Sequence, residues 1–328
     1  MNGDSTNDLV LSTSSGSLIT LLADKTSTPF GTSASPPVST KYDVSGVLPG
    51  KGSVYAFELG DIDGDGKVEA VVSDRNANTV SVVSGFGTGI ITTLFTSSNL
   101  PPNSLPGQPR LADINADGKP DILVPLYGAD KVVAFLNRGS GSFSPNYLSV
   151  DVIKPTDIRV ADMTADGFPD VVATSETTKS AAIFRFTDFS RMRTVDVTNS
   201  PVSLVIGNFQ GETGADKLDA ITVTANTFGL PPASPGLPDL SGGAFISDIG
   251  NAGTPIAAAV QVDSSAAPVN TFNTAVLADA NGDRKDDVIA LNTATGALQT
   301  LIGQGNGTFK TSLVTSFSCL LYTSDAAD

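Results

Sequence analysis

The chain has no histidine and no tryptophan, and its only cysteine, Cys319, falls in the last ten of its 328 residues. Without His, Ser-His-Asp chemistry and His-based zinc sites are excluded. With Cys319 set aside, disulfides, thiolate catalysis and Cys-based zinc sites are excluded as well. Glu is scarce: four Glu stand against thirty Asp, and Asp favours turns and hard-cation sites over helices. Bases are few, 19 Lys and Arg against 34 acids for a net charge of −15. That balance leaves no basic surface for nucleic acid or an anionic membrane. No apolar run approaches the roughly 20 residues of a membrane-spanning helix. What the chain has in excess is turn formers, 32 Gly and 20 Pro, so it reads as short strands joined by many turns.

The ends carry separate expectations. Residues 319–328, Cys-Leu-Leu-Tyr-Thr-Ser-Asp-Ala-Ala-Asp, read as an in-frame translation of a transposon-type sequencing adaptor. They are set apart as an artefactual tail, leaving 1–318 as one domain. No signal peptide is visible at Met1, and the chain opens inside a repeat, so the first repeat is expected to be truncated.

One acidic phrase recurs. It stands as Asp61-Ile-Asp63-Gly-Asp65-Gly66-Lys67-Val-Glu69 and as Asp113-Ile-Asn115-Ala-Asp117-Gly118-Lys119-Pro-Asp121. It returns as Asp162-Met-Thr164-Ala-Asp166-Gly167-Phe168-Pro-Asp170 and as Asp279-Ala-Asn281-Gly-Asp283-Arg284-Lys285-Asp-Asp287. A fainter copy runs from Asn208 through Gln210 and Glu212 to Asp219, and Asn2, Asp4 and Asp8 fit the last part of another. Roughly 0.1 full matches are expected by chance in such a composition; the chain has three, with a Thr variant besides. Between phrases lie β-branched runs of four to eight residues bounded by turn formers. The unit is strand, acidic loop, strand, hairpin, strand, loop, strand, in about 50 residues, the size of a propeller blade. The one long interval holds a Pro/Gly-rich stretch, residues 229–243, which reads as an inserted loop.

The phrase has the chemistry of a calcium loop. Alternate positions 1, 3 and 5 put oxygen side chains on one side of a tight turn, and Gly at position 6 permits the positive φ that curls it. Position 7 offers a main-chain carbonyl, which is why Lys67, Lys119, Phe168 and Lys285 are all tolerated there. The acid at position 9 closes the cage. Two carboxylates about 4 Å apart repel by roughly 4 kcal/mol at an effective dielectric near 20, and a divalent ion reverses that sign. An all-oxygen donor set favours Ca²⁺ over zinc, copper or iron, and over Mg²⁺, which keeps its waters. Thr164 removes one charge from its loop. Arg284 in place of Gly predicts strain rather than loss, and the 208–219 copy is expected to bind weakly or not at all.

These phrases resemble the FG-GAP/VCBS repeat family, best known from the head domains of integrin α chains. The Gly-rich turns ending in Phe143 and Phe309 match as well, although the eponymous Phe-Gly and Gly-Ala-Pro pair is not cleanly present. The resemblance implies an all-β fold, a β-propeller of four-stranded antiparallel blades. About six repeats are visible, which implies a seven-bladed ring with part missing. It also implies roughly four to five calcium sites. The side-chain ligands would be Asp61, Asp63, Asp65 and Glu69; Asp113, Asn115, Asp117 and Asp121; Asp162, Thr164, Asp166 and Asp170; and Asp279, Asn281, Asp283 and Asp287.

Calcium in such repeats is structural, so function is expected on another surface. Blade connectivity puts the hairpins between second and third strands, and the blade-to-blade links, on the face opposite the acidic loops. The 229–243 insertion and the link over residues 99–107 should lie there and meet a protein or glycan partner. The sequence thus predicts a non-catalytic, calcium-binding adhesion module that is secreted or displayed at the cell surface, where calcium fills weak sites. A lectin is the alternative, although five Tyr and no Trp offer few stacking platforms. A propeller-type polysaccharide lyase or hydrolase is the third reading; paired carboxylates could serve as acid and base, but the loops claim most of the Asp.

Overall fold

The Val-, Ile- and Thr-rich runs between the acidic phrases form strands, as their β-branched side chains favour. The computed structural model describes residues 9–13, 16–21, 39–44, 46–48, 54–86, 90–97, 99–185, 190–196, 200–209, 218–224, 244–247, 260–261, 272–292, 297–305 and 309–316. Outside them lie the N-terminal phrase with Asn2, Asp4 and Asp8, the middle of the faint copy with Gln210 and Glu212, residues 229–243 and residues 319–328. The described residues contain no helix, and no helix is long and apolar enough to cross a membrane.

The chain divides into two units. Unit 1 comprises residues 1–160 with 186–189, and unit 2 comprises 161–185 with 190–328. Unit 1 opens with β1 (Leu9–Ser12), β2 (Ser17–Leu21) and β3 (Ser39–Asp43), a three-stranded antiparallel sheet. Next come β4 (Ala56–Gly60), β5 (Glu69–Asp74), β6 (Thr79–Ser84) and β7 (Thr92–Thr96), paired in chain order. The following sheet uses β8 (Arg110–Ala112), β9 (Asp121–Leu126) and β10 (Lys131–Phe135). A small hairpin, β11 (Asn137–Gly139) with β12 (Ser142–Phe143), then precedes the sheet's fourth strand, β13 (Leu148–Asp151).

The boundary between units runs through β14 (Pro155–Ala161), which opens a sheet continued by β15 (Asp170–Ser175), β16 (Ser180–Arg185) and β17 (Arg191–Asp196). Unit 2 adds β18 (Pro201–Gly207), β19 (Asp219–Thr224), β20 (Ala244–Ser247) and β21 (Val260–Gln261). It ends with β22 (Phe272–Ala278), β23 (Asp287–Asn292), β24 (Ala297–Gly303) and β25 (Phe309–Ser316). Among the described residues the repeat unit read from the sequence is therefore realised as five four-stranded antiparallel sheets.

Burial explains why the second strands read as unbroken apolar runs. Every residue of β5, β9 and β15 is buried, because both faces of a middle strand meet a neighbouring layer. The two-residue period sorts their side chains between layers. Val71 joins a cluster with Ile122, Val124, Val133 and Phe135, whereas Ala70 and Val72 join one with Leu18 and Val83. In unit 2, Val172 and Ile183 pack with Leu204 and Ala220, and Val205 packs with Ala275, Val288 and Leu301. β5 is thus shared by two cores, and this places the 61–69 loop at its start on a rigid support.

The opposite ends of the sheets in unit 1 are laced by the link over residues 99–107. Asn78 Nδ2 donates to Pro101 O at 2.8 Å, and Ser104 N donates to Asn78 Oδ1 at 2.8 Å. Gly128 N donates to Ser104 O at 2.7 Å. The link therefore sits on the hairpins after β5 and after β9, away from the acidic loops, as the connectivity predicted.

Candidate functional site: the acidic loops

All four described loops fold alike. Position 1 caps the turn with both carboxylate oxygens. Asp61 accepts the amides of Gly64 at 2.8 Å and Gly66 at 2.9 Å. Asp113 accepts those of Asp117 and Gly118, Asp162 those of Asp166 and Gly167, and Asp279 those of Gly282, Asp283 and Arg284. Position 6 has the positive φ expected of it, +82° at both Gly66 and Gly118. Arg284 takes the same conformation at +65°, a strain that its loop absorbs, as the substitution of Gly predicted.

Position 3 accepts the amide of position 5, at 3.0 Å from Asp65 to Asp63, 2.9 Å from Asp117 to Asn115 and 2.8 Å from Asp283 to Asn281. Thr164 departs from this pattern. Its hydroxyl donates to Asp170 Oδ2 at 3.1 Å, toward the closing acid and away from position 5. Position 5 accepts the amide of position 7 in every loop, from Lys67, Lys119, Phe168 and Lys285. Its second oxygen meets a cation: Lys67 Nζ lies 2.7 Å from Asp65, Lys119 Nζ 3.1 Å from Asp117, Arg185 Nη2 3.2 Å from Asp166 and Lys285 Nζ 3.7 Å from Asp283. The ammonium of Lys67 holds the Asp65 carboxyl below the usual range, and Lys119 does the same for Asp117.

The first loop concentrates the most charge. One oxygen each of Asp61, Asp63 and Asp65 lies within 4.8 Å of the others. Oxygens bound to one ion at 2.3–2.6 Å are separated by at most about 5 Å, so this donor set fits a single hard cation.

Position 9 behaves differently from its neighbours. Glu69, Asp121, Asp170 and Asp287 are all buried, at 2% exposure or less. Each accepts the amide of position 2: from Ile62 at 2.8 Å, Ile114 at 3.2 Å, Met163 at 3.1 Å and Ala280 at 2.8 Å. Burial pushes the carboxyls of Glu69 and Asp170 upward, and that of Asp121 up to about 6. The second oxygen of Asp121 accepts Asn137 N, and that of Asp287 accepts Gly303 N. In Asp170 that oxygen is buried and has no hydrogen-bond partner among the described residues; residue 186, which matches Asn137 and Gly303, lies outside them.

The sequence reading missed three features. Position 2 is an apolar anchor, with Ile62, Ile114 and Met163 each at 2% exposure or less. Position 4 also lies at positive φ, at Gly64, Ala116, Ala165 and Gly282, and Ala gave no signal of it. Asn137, outside every phrase, joins two loops.

Residues 61–124, which hold two acidic phrases, match the family model described as an FG-GAP-like repeat. Among solved structures, the chain is similar to a lectin of Agrocybe aegerita that recognises non-reducing terminal N-acetylglucosamine. The identity is 17% and the TM-score 0.50, over 81% of this chain and 68% of that one. It is similar as well to BBS1N in complex with ARL6DN, at 13% identity and TM-score 0.54 for a mercury-soaked crystal, covering 89% and 74% of the chains. A lead-soaked crystal of the same complex gives 14% identity and TM-score 0.50, covering 89% and 76%. No curated protein sequence is significantly similar to this chain. With its blade-type sheets and these likenesses, the chain has an all-β fold of the β-propeller class.

Proposed function

We propose that this protein is a non-catalytic, calcium-binding propeller module that works outside the cell by holding a protein or glycan partner. The observation that carries the calcium reading is the convergence of Asp61, Asp63 and Asp65 in a turn whose amides already hold them. A preformed, oxygen-only, anionic cage suits a hard divalent ion. Side-chain ligands would come from positions 1, 3 and 5 of each loop, with position 9 closing it. The ion would neutralise the clustered acids and lock each loop to its sheet. The apo loops are preformed by their own hydrogen bonds, and three of the four include a neutral or missing carboxylate at position 3. Such sites suit the weak affinities of extracellular modules, roughly 10⁻⁴–10⁻³ M, and this supports an exported location.

Thermal melts with calcium and with chelator test the reading. Calcium at 100 times its dissociation constant adds about 2.7 kcal/mol per independent site. Equal melts in both conditions would remove the calcium role.

For the partner, the lectin likeness favours a glycan reading, and BBS1N in a complex favours a protein reading. The surface in question carries Tyr55, with the Arg75 guanidinium 3.5 Å over its ring, and the exposed Leu105 and Ile153. A glycan array separates the two: binding there supports the lectin reading, and a silent array favours a protein.

A further inference from the structure

In the second acidic loop the closing acid reaches beyond its own turn. Asp121 Oδ2 accepts Ile114 N at 3.2 Å, while its Oδ1 accepts Asn137 N at 2.7 Å. Asn137 is 1% exposed, and its side chain is fully used. Its Oδ1 accepts Gly139 N at 2.8 Å, and its Nδ2 donates to Pro120 O at 3.0 Å and to Ile62 O at 2.8 Å. Ile62 is the second residue of the preceding acidic loop, 75 positions earlier, and its amide donates to Glu69 Oε2 at 2.8 Å. The hydrogen bonds form one unbroken run: Ile114, Asp121, Asn137, Ile62, Glu69. Only a primary amide supplies the two donors and one acceptor that this position uses. At the matching place in unit 2, Gly303 makes the same backbone bond to Asp287 at 2.8 Å but has no side chain to extend it.

We propose that Asn137 couples cation binding in loop 61–69 to that in loop 113–121, so that filling either loop raises the affinity of the other. This rests on the calcium reading of those loops. Asn137 is a positioning residue that acts through Asp121 and Ile62. Fixing Asp121 fixes the Asn137 amide and with it the Ile62 peptide, on which the closing acid of the first loop is anchored. The second ion then meets a loop that is already ordered. A buried, fully satisfied polar network transmits such ordering because no water can substitute for its members. The coupling must be reciprocal.

Two glycine amides report the loops separately, because Gly66 N is bound to Asp61 and Gly118 N to Asp113. Calcium titrated into the full chain, followed by the amide resonances of Gly66 and Gly118, gives a midpoint for each loop. With Asn137 in place, Asp113→Asn combined with Asp117→Asn should raise the Gly66 midpoint about five-fold, within the usual range of couplings. With Asn137→Ala the same pair of changes should leave the Gly66 midpoint unmoved. An equal shift with and without Asn137 would assign the effect to the removed charges and overturn the proposal. So would an unmoved Gly66 midpoint with Asn137 present, an arm that needs no change at Asn137; should Asn137→Ala not fold, Asn137→Ser replaces it. If calcium moves neither glycine in the unaltered chain, the calcium reading falls and the coupling with it. If both move independently, only the coupling falls.

Discussion

Arg110 on β8 places its Nη2 2.9 Å from Oδ1 of Asp157 on β14, so the opening strands of two sheets are joined by a charge pair. The same Asp157 oxygen accepts Arg159 Nη1 at 2.8 Å and Ile158 N at 2.8 Å. Arg110 reaches back to Glu58 on β4 at 3.4 Å. The Asp157 side chain is 7% exposed. Removing one partner of a buried pair strands the other charge, which costs more than the pair itself contributes. Asp157→Ala is therefore expected to destabilise the protein by about 3 kcal/mol, seen as a lower urea midpoint at unchanged slope. A loss under 0.5 kcal/mol would show the pair to be as inconsequential as a surface one.

Lys67 competes with any ion in the first loop, since its ammonium occupies the Asp65 oxygen. An exposed pair of this kind is weak, and a bound cation has to displace it. Lys67→Met should therefore tighten calcium binding by about two- to five-fold in isothermal titration. Asp65→Asn keeps an oxygen for the Lys67 amide but loses the charge. It should weaken binding about ten-fold while leaving the chelator melt unchanged. Tighter binding in Asp65→Asn would contradict the assignment of this oxygen to the ion.

Much of this site was legible in the sequence, and the boundary has a physical origin. Residue type and spacing fixed positions 1, 3, 5 and 6, because alternate side chains and one positive φ are local properties. The strands were legible in the β-branched runs bounded by turns. A second role of position 9 was not: beside closing the cage proposed for it, the acid accepts the position 2 amide in every described loop. Glu69 and Asp121 became backbone clamps only once Ile62 and Ile114 were seen buried beneath them. Asn137 was legible only as the first residue of the Gly-rich turn that ends in Phe143; its bond to Ile62 was not, since Ile62 is distant in sequence and contributes only a carbonyl.

The link on the hairpin ends depends on one close approach. A Cβ on Gly128 would run into the carbonyl oxygen of Asn103, and Gly128 N holds Ser104 O at 2.7 Å. A backbone atom cannot move aside as a flexible side chain can, so Gly128→Ala should cost about 1–3 kcal/mol. Hydrogen exchange would show the loss at the amides of Ser104 and Gly107, while the 61–69 loop stays protected. Uniform loss across unit 1 would mean that the link is not a separable element.

Acid should stabilise the calcium-free protein over a limited range. The Asp121 carboxyl titrates near 6 in the fold because burial disfavours its charge, against 3.8 when the chain is open. A raised carboxyl is a penalty at neutral pH: the folded state must hold the charge that the unfolded state carries freely. As pH falls from 7 to 5 the folded state takes up a proton before the unfolded one, so this group adds about 1 kcal/mol to stability. Below about 3.8 both states are protonated and the gain stops growing. A bound cation reverses the balance by favouring the ionised form, so saturating calcium should abolish the rise, and acid should then weaken the protein by expelling the ion. Urea midpoints at pH 7, 6 and 5, each in chelator and in calcium, check both signs. The contribution of Asp121 is the part of the chelator rise that disappears in Asp121→Asn; a rise that survives unchanged in that variant would assign the effect to other acids.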